Sequence, residues 1–237
     1  MLKTNIFKRI PDSKIKFFTQ KLLEWFHGNA RDFSWRKETD PYKILLAEIM
    51  LQRTKAAQVN PVYNEFVTEF NNIDLLNNIN VNCIAKHIKK LGLLWRSEKL
   101  IEMTKYIIEH YHGKIPQAKK DLLQIPGVGE YIADALMVFA FNEKKTVVDS
   151  NVIRVTSRFF GLDLKGEVRR NKKFYEFCQL LSKDLQQNEI KNFNWGLIDF
   201  SFLICKPIPK CRSCPLSKKC KFYNNNIEKI DIIKKYE

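Results

Sequence analysis

The chain has 237 residues, 45% of them hydrophobic, which is enough to bury one large core or two small ones. No window approaches the roughly 20 apolar residues of a membrane-spanning helix. The basic segment 1–16 lacks the continuous apolar stretch of a secretory signal. These features exclude an integral membrane protein and predict a soluble, cytoplasmic one.

The charge balance is strongly basic, with 41 Lys and Arg residues against 26 Asp and Glu residues and a formal net charge of +15. Such a surplus favours a polyanionic partner, because phosphate contacts release counterions from nucleic acid. A solvated surface rich in lysine and asparagine would have a similar composition. Charge alone therefore favours nucleic acid without deciding for it.

Apolar residues recur at helical spacing almost throughout, and no segment alternates convincingly as a strand would. The sequence therefore predicts an all-α fold. The predicted helices cover residues 14–26, 40–54, 60–70, 81–90, 97–110, 118–123 and 132–141, and a further helix follows Asp149.

The second predicted helix carries one carboxylate among apolar neighbours. Glu48 lies close to Leu45, Leu46, Ile49 and Met50 in the sequence. A lone buried carboxylate is costly. Glu48 is therefore either on the solvated side of an amphipathic helix or in a pocket that uses it.

A turn between two predicted helices has the features of a phosphate-binding hairpin. The apolar run stops at Pro126, and the chain restarts as a helix at Ile132. Two glycines in the short turn suit backbone with positive φ or backbone that lies against a flat surface. The next helix then presents unpaired N–H groups that can hold a phosphate. The turn residues are Gly127, Val128 and Gly129.

Asp149 stands at the predicted start of a helix, not far along the chain from this hairpin. As an N-cap it would accept backbone N–H bonds that favour its charged form. Capping alone would explain the residue, but the hairpin favours a catalytic role. Asn151 is expected to support the same turn.

Four of the six cysteines crowd into one short segment, CKPIPKCRSCPLSKKC, while Cys83 and Cys178 stand alone in apolar-periodic segments. The isolated pair is expected to consist of buried small hydrophobic side chains. The crowded four predict a metal site in a reducing compartment, because four thiolates bind either zinc or an iron–sulfur cluster. These ligands are Cys205, Cys211, Cys214 and Cys220.

The motifs IPGVG, Tyr131 two residues later, and VVDSNVIRV together resemble the helix-hairpin-helix DNA glycosylase superfamily. Endonuclease III, the adenine glycosylases and the thymine/uracil mismatch glycosylases belong to it. The segments RDFSWRKETDPYKILLAEIMLQRT and FNWGLIDFSFLIC are similar to parts of the same proteins. The resemblance covers nearly the whole chain.

This resemblance implies two helical lobes, one formed by residues 30–148 and ending in the hairpin, the other by 1–29 with 149–237. It implies a monomer that acts on double-stranded DNA with a mismatched or damaged base. It also favours a 4Fe-4S cluster, although the first gap between cysteines is one residue shorter than in endonuclease III. Zinc remains the alternative.

The resemblance also implies roles for single residues. Asp149 would stabilise the positive charge that develops at C1′ and orient the attacking water. Glu48 matches a pocket glutamate that in adenine glycosylases helps to protonate the departing purine, and burial would raise its pKa. Gln52 and Arg53 match residues that fill the hole left by the flipped base or touch its orphaned partner, and Leu93 matches an apolar wedge. A polar helix end and a packing leucine would explain the last three equally well.

Tyr131 separates this chain from endonuclease III. Bifunctional members have a lysine at this position, whose amine attacks C1′ and forms a Schiff base. A tyrosine cannot form that imine, so the resemblance implies hydrolysis by water with little strand cleavage. Packing at the start of a helix is the structural alternative.

Tyrosine here resembles the thymine/uracil mismatch glycosylases, whereas the adenine glycosylases have a serine and an additional C-terminal domain. The chain ends soon after Cys220, and we expect no such domain. The leading hypothesis is removal of thymine or uracil opposite guanine in base excision repair. Adenine removal is one alternative, and a noncatalytic DNA-binding or redox-sensing protein is another.

Overall fold

The computed structural model describes residues 7, 10–92, 95–164, 168 and 171–226. Within these ranges the regular structure consists of α-helices and short 3-10 helices, with no strand. The predicted all-α fold is therefore confirmed. None of the described helices has the length and apolar character needed to cross a membrane.

The α-helices are α1 (Asp12–Asn29), α2 (Pro41–Leu51), α3 (Ala56–Glu69), α4 (Ile73–Asn77), α5 (Val81–Ile88), α6 (Trp95–Tyr111), α7 (Lys119–Leu122), α8 (Glu130–Phe139), α9 (Ser150–Phe160), α10 (Lys172–Ser182) and α11 (Ile190–Leu203). The 3-10 helices cover Ser34–Arg36, Lys89–Leu91, Gln187–Glu189, Cys211–Ser213 and Ser217–Lys219.

The chain forms two compact units. The discontinuous unit consists of Met1–Arg31 and Lys144–Glu237, and the continuous unit consists of Asp32–Glu143. The domain boundaries expected from the sequence differ from these by a few residues. The hairpin belongs to the continuous unit, and Asp149 and the four clustered cysteines belong to the discontinuous unit.

In the discontinuous unit, α1 packs against α11, and α11 packs against α9. A glycine allows the first contact to be close: a Cβ on Gly196 would lie 3.4 Å from the Cβ of Phe26. Aromatic rings fill the adjoining core, where the ring centroids of Phe18 and Phe159 are 4.9 Å apart. An ion pair joins Arg31, which follows α1, to the buried Asp199 of α11, with 2.6 Å between Arg31 Nε and Asp199 Oδ1.

In the continuous unit, α2 lies against α3 and α8 and is buried nearly all round. A helix with apolar residues on every side belongs in a core. Glu48 shares that burial, with only 6% of its surface exposed. The alternative that places Glu48 on a solvated helix face is therefore wrong.

The two isolated cysteines differ. Cys178 is fully buried, as predicted, and burial raises the pKa of its thiol. The prediction for Cys83 is wrong, because this residue is only half-buried and its Sγ lies 4.0 Å from Nδ1 of His87. Apolar periodicity placed Cys83 near the core but could not show that it lies at the edge of the buried face of α5.

Candidate functional site

The turn between α7 and α8 is the helix-hairpin-helix predicted from the sequence. The N–H of Val128 donates to the carbonyl of Ile125 at 3.0 Å and closes the turn. Gly127 has a φ of +87°, which favours glycine, whereas Gly129 is extended. A Cβ on Gly129 would meet nothing within 4 Å. Gly127 is therefore required by the backbone, and Gly129 leaves an open surface beside the helix.

A lysine joins the two sides of the hairpin. Lys119 Nζ lies 2.7 Å from Asp134 Oδ1 and 2.7 Å from Glu130 Oε2. Asp134 is only 2% exposed, and the ammonium of Lys119 compensates its buried charge. At the start of α8, Gly129 offers no side-chain cap, and Tyr131 is half-buried in the first turn.

The end of α2 is bonded to this hairpin. Gln52 Nε2 donates to the carbonyl of Gly127 at 3.3 Å. The next residue, Arg53, is exposed and has a φ of +55°. The chain leaves the helical conformation one residue earlier, at Gln52, whose ψ is 116°, so the prediction of a helix that continues to Thr54 is wrong. The structure thus brings together Gln52 and the hairpin, both identified from the sequence.

Arg96 is a residue that the sequence analysis missed. It is completely buried near the start of α6. Its Nη1 donates to the carbonyl of Met50 at 3.1 Å, and its Nη2 donates to the carbonyl of Gln52. Burial lowers the pKa of Arg96, but an arginine starts so far above neutrality that it stays charged. No motif marks this residue, because its partners are two backbone carbonyls and the hydroxyl of Thr54, all more than 40 residues earlier in the chain. Leu93, the predicted wedge, lies outside the described residues.

In the discontinuous unit, Asp149 caps α9. Its Oδ1 accepts the backbone N–H groups of Asn151 at 2.9 Å and Val152 at 2.8 Å. Its Oδ2 accepts Asn151 Nδ2 at 2.7 Å. The predicted cap is confirmed, and so is the support from Asn151. The carboxylate is half-buried and has one fixed orientation because donors hold both of its oxygens.

Arg154 connects this turn to the cysteine segment. Its Nη2 donates to Asn151 Oδ1 at 3.1 Å, and its Nε donates to the carbonyl of Cys205 at 2.9 Å. A second bond joins Nη2 to the carbonyl of Ser201 at 3.1 Å. One side chain therefore fixes the carboxylate turn, α11 and the first clustered cysteine relative to one another.

The four clustered cysteines line one cavity, which is walled mainly by apolar side chains. Among the described residues, the only trio of ligand atoms that all lie within 4.8 Å of one another is formed by Glu69, Cys83 and His87. No three sulfurs of the cavity therefore approach that closely. Other residues that line it include Val155, Phe159, Phe200, Ile204, Leu216 and Phe222.

Burial and neighbouring thiols raise the pKa values of two of these cysteines, Cys211 and Cys214. Burial raises the pKa of Cys211 to about 11 and that of Cys214 to about 12. The nearby thiols of Cys205 and Cys220 raise both further. Since only thiolates bind metal strongly, filling the cavity must displace protons.

Arg158 fixes the segment that follows the first of these cysteines. Its Nη1 donates to the carbonyl of Lys206 at 2.5 Å, and its Nη2 donates to that of Pro207 at 2.9 Å. Nη1 also lies 3.7 Å from the sulfur of Cys205. The charge of Arg158 also acts against the burial that raises the pKa of Cys211.

Comparison with protein families matches residues 46–179 to the model described as HhH-GPD superfamily base excision DNA repair protein. A protein named thymine/uracil-DNA glycosylase from Methanothermobacter thermautotrophicus is 37% identical over 214 residues, which cover 90% of this chain and 96% of that protein. An adenine DNA glycosylase from Buchnera aphidicola subsp. Baizongia pistaciae is 33% identical over 88% of this chain but 59% of its own length.

Two solved structures share the fold. A thermostable thymine-DNA glycosylase superposes with a TM-score of 0.84 at 36% identity, covering 90% of this chain and 98% of that one. A non-covalent endonuclease III–DNA complex superposes with a TM-score of 0.78 at 21% identity, covering 92% of this chain and 99% of that one. The likeness to endonuclease III concerns the fold alone.

The two hairpin glycines should respond differently to alanine. Gly127→Ala should lower the free energy of unfolding by about 1–2 kcal/mol, because alanine is strained at positive φ. Gly129→Ala should change it by less than about 0.5 kcal/mol, since its backbone is extended and the space is open. Urea unfolding followed by circular dichroism measures both. Equal losses for the two variants would contradict the described turn.

Proposed function

Because the chain belongs to the HhH-GPD superfamily of base excision DNA repair proteins, we propose that it is a DNA glycosylase that removes thymine or uracil mispaired with guanine. The observation that carries the proposal is the 37% identity to a thymine/uracil-DNA glycosylase, which this chain covers almost completely. Tyr131, at the place where a Schiff-base lysine would stand, supports the same choice.

The hairpin is proposed to bind one phosphate of the DNA backbone. Gly129 leaves room for a close approach, because no protein atom lies within 4 Å of the position of its missing Cβ. No side chain caps the first turn of α8, so its N–H groups are available to an anion. Val128 and Gly127 shape the turn, and the net charge of +15 attracts the duplex.

The target nucleotide must leave the duplex, because neither C1′ nor the base is reachable within the stack. Gln52 and Arg53, at the end of α2, are proposed to occupy the vacated space and contact the orphaned base. The exposed guanidinium of Arg53 and the amide of Gln52 suit hydrogen bonding to base edges. Leu93 is proposed as the apolar wedge.

Asp149 is proposed to act on the sugar. As the N-glycosidic bond breaks, its electron pair leaves with the base, and positive charge develops at C1′ and the ring oxygen. The ionised carboxylate stabilises that charge and orients a water whose oxygen forms the new bond to C1′, while the proton that the water loses neutralises the departed base through solvent. Three N–H donors fix the Asp149 carboxylate in one orientation, so it need not reorganise as the charge develops. The product is an abasic site, and Tyr131 supplies no amine for strand cleavage.

The four cysteines of the cavity are proposed to hold a 4Fe-4S cluster. Tetrahedral zinc with bonds of about 2.3 Å would bring all four sulfurs within about 4 Å of one another. The sulfurs here are too widely spaced for that, since no three lie within 4.8 Å. A cluster holds its four thiolates further apart than a single ion does, and all four cysteines line one mainly apolar cavity. When bound, the cluster supplies a redox-active cross-link between Cys205, Cys211, Cys214 and Cys220.

The substrate implies where the protein works. A duplex with a mismatched base is found on the chromosome, so we propose a cytoplasmic, nucleoid-associated enzyme. We propose that it acts as a monomer.

Adenine removal is the second candidate, and Glu48 supports it. A departing purine needs a proton, and a buried carboxylic acid can supply one. Glu48 is 6% exposed on α2, and the adenine glycosylase noted above is 33% identical. That protein extends well beyond the part that this chain matches.

A panel of duplexes with T·G, U·G, A·G and A·oxidised-G pairs distinguishes thymine or uracil removal from adenine removal. We expect alkali-induced breaks only in the strand that carried T or U, and few breaks before alkali, because water rather than an amine attacks C1′. The abasic product is measured on a denaturing gel. Breaks confined to the adenine-containing strands would replace the first candidate by the second.

Asp149→Asn tests the enzymatic role. Asparagine also caps helices, so folding and DNA affinity should persist, while single-turnover base release falls by about 100-fold or more. Asp184→Asn, at an exposed position of the same unit, is the matched control and should keep full activity. If the wild-type protein bound mismatched duplexes without ever releasing a base, it would be a noncatalytic DNA-binding protein instead.

The metal is identified by colour and analysis. The purified protein should be brown, absorb broadly in the visible range and contain about four iron atoms per chain. Cys214→Ser should lose most of that absorbance, whereas Cys83→Ser should keep it, because Cys83 belongs to the other unit. A colourless protein that contains zinc would refute the cluster.

A further inference from the structure

Arg96 is among the largest completely buried side chains of the chain. A buried guanidinium is costly unless acceptors surround it. Here the acceptors all come from one short segment. They are the carbonyls of Met50 and Gln52 and, at 2.8 Å, the hydroxyl of Thr54. Arg96 thus donates its hydrogen bonds to the end of α2 and to the turn that follows it.

The end of α2 and the turn after it require donors of this kind for two reasons. The last carbonyls of a helix have no partners within it, and a positive charge there is favourable. Arg53 adopts a φ of +55°, which residues other than glycine, asparagine and aspartate seldom do. The turn continues through Thr54, whose N–H donates to the carbonyl of Leu51 at 3.2 Å. A left-handed arginine in this turn persists only if its surroundings hold it.

The same turn reaches the hairpin. The carbonyl of Gln52 accepts from Arg96, while its side chain donates to the carbonyl of Gly127. The two exposed ends of this arrangement are the tip of Arg53 and the open surface at Gly129. Arg96 itself cannot touch DNA, because none of its surface is accessible.

We propose that Arg96 is a positioning residue that sets the selectivity for the base opposite the flipped nucleotide, by fixing the turn that presents Gln52 and Arg53. This rests on the proposed function, in which those two residues meet the orphaned base. Selectivity of this kind needs donors in fixed positions, since a mobile side chain accepts several partners. The forked guanidinium reaches two carbonyls and a hydroxyl at once, and a lysine ammonium cannot reproduce that fork.

The test measures binding to an uncleavable duplex with a tetrahydrofuran abasic site opposite either guanine or adenine. The wild-type protein should prefer guanine. Arg96→Lys keeps the charge but loses the fork, and should reduce that preference by roughly tenfold, as expected for the loss of a buried hydrogen bond. Thr54→Val removes one acceptor and should reduce the preference by a smaller factor. Lys105→Met, which removes an exposed charge from α6, should lower both affinities alike and keep the preference.

The outcomes separate the possibilities. A preference that survives in Arg96→Lys overturns the proposal, and so does a parallel loss of both affinities that follows the folded fraction seen by circular dichroism. If Arg96→Lys does not fold, Thr54→Val decides alone, and an unchanged preference there overturns the proposal. A wild-type protein with no preference also overturns it. The assay needs no base release, so failure of the proposed catalytic function would be seen separately, in the excision panel.

Discussion

The proposed chemistry depends on one carboxylate that the backbone holds in place. Asp149 accepts two N–H groups of α9 through one oxygen and the amide of Asn151 through the other. A charge fixed in this way loses little energy in reorganisation when a positive centre develops beside it. The cap and the proposed catalyst are the same group, so the local stability of α9 and the chemistry depend on the same bonds.

That carboxylate is connected to the cysteine segment of its own unit. Asn151 bonds to Arg154, and Arg154 bonds to the carbonyl of Cys205. Arg158, one turn further along α9, fixes the residues that follow that cysteine. The two arginines of this helix therefore act first as backbone anchors, whatever contribution their charge makes to the net +15. In the continuous unit, Arg96 has the same task at the end of α2.

The features that the sequence predicted correctly are those with local causes. Helical periodicity predicted the all-α fold, the glycine spacing predicted the hairpin, and the position of Asp149 predicted a cap. The features it missed depend on contacts between distant segments. Arg96 was missed because its acceptors lie more than 40 residues earlier in the chain, at the end of α2 and in the turn that follows it. The predicted helix extended beyond the observed end of α2, because the residue type of Arg53 does not indicate a positive φ.

Burial also depended on tertiary contacts. Glu48 and Cys83 both lie in apolar-periodic segments, yet Glu48 is enclosed and Cys83 is not. Nearly every residue of α2 is buried, whereas in α5 only Ile84 and Ile88 are, so Cys83 lies beside the buried face of its helix. Periodicity identifies the side of a helix that faces a core, but how far round the helix the burial extends follows only from the fold.

The most direct test of the central claim measures the attraction between Asp149 and a positive charge at the sugar. Two duplexes are compared, one with a protonated pyrrolidine in place of the target deoxyribose and one with neutral tetrahydrofuran, both opposite guanine. The account predicts that the wild-type protein binds the cationic analogue at least about tenfold more tightly, and that Asp149→Asn abolishes this difference while it still binds the neutral duplex. Equal preference for the cation in both proteins would contradict it.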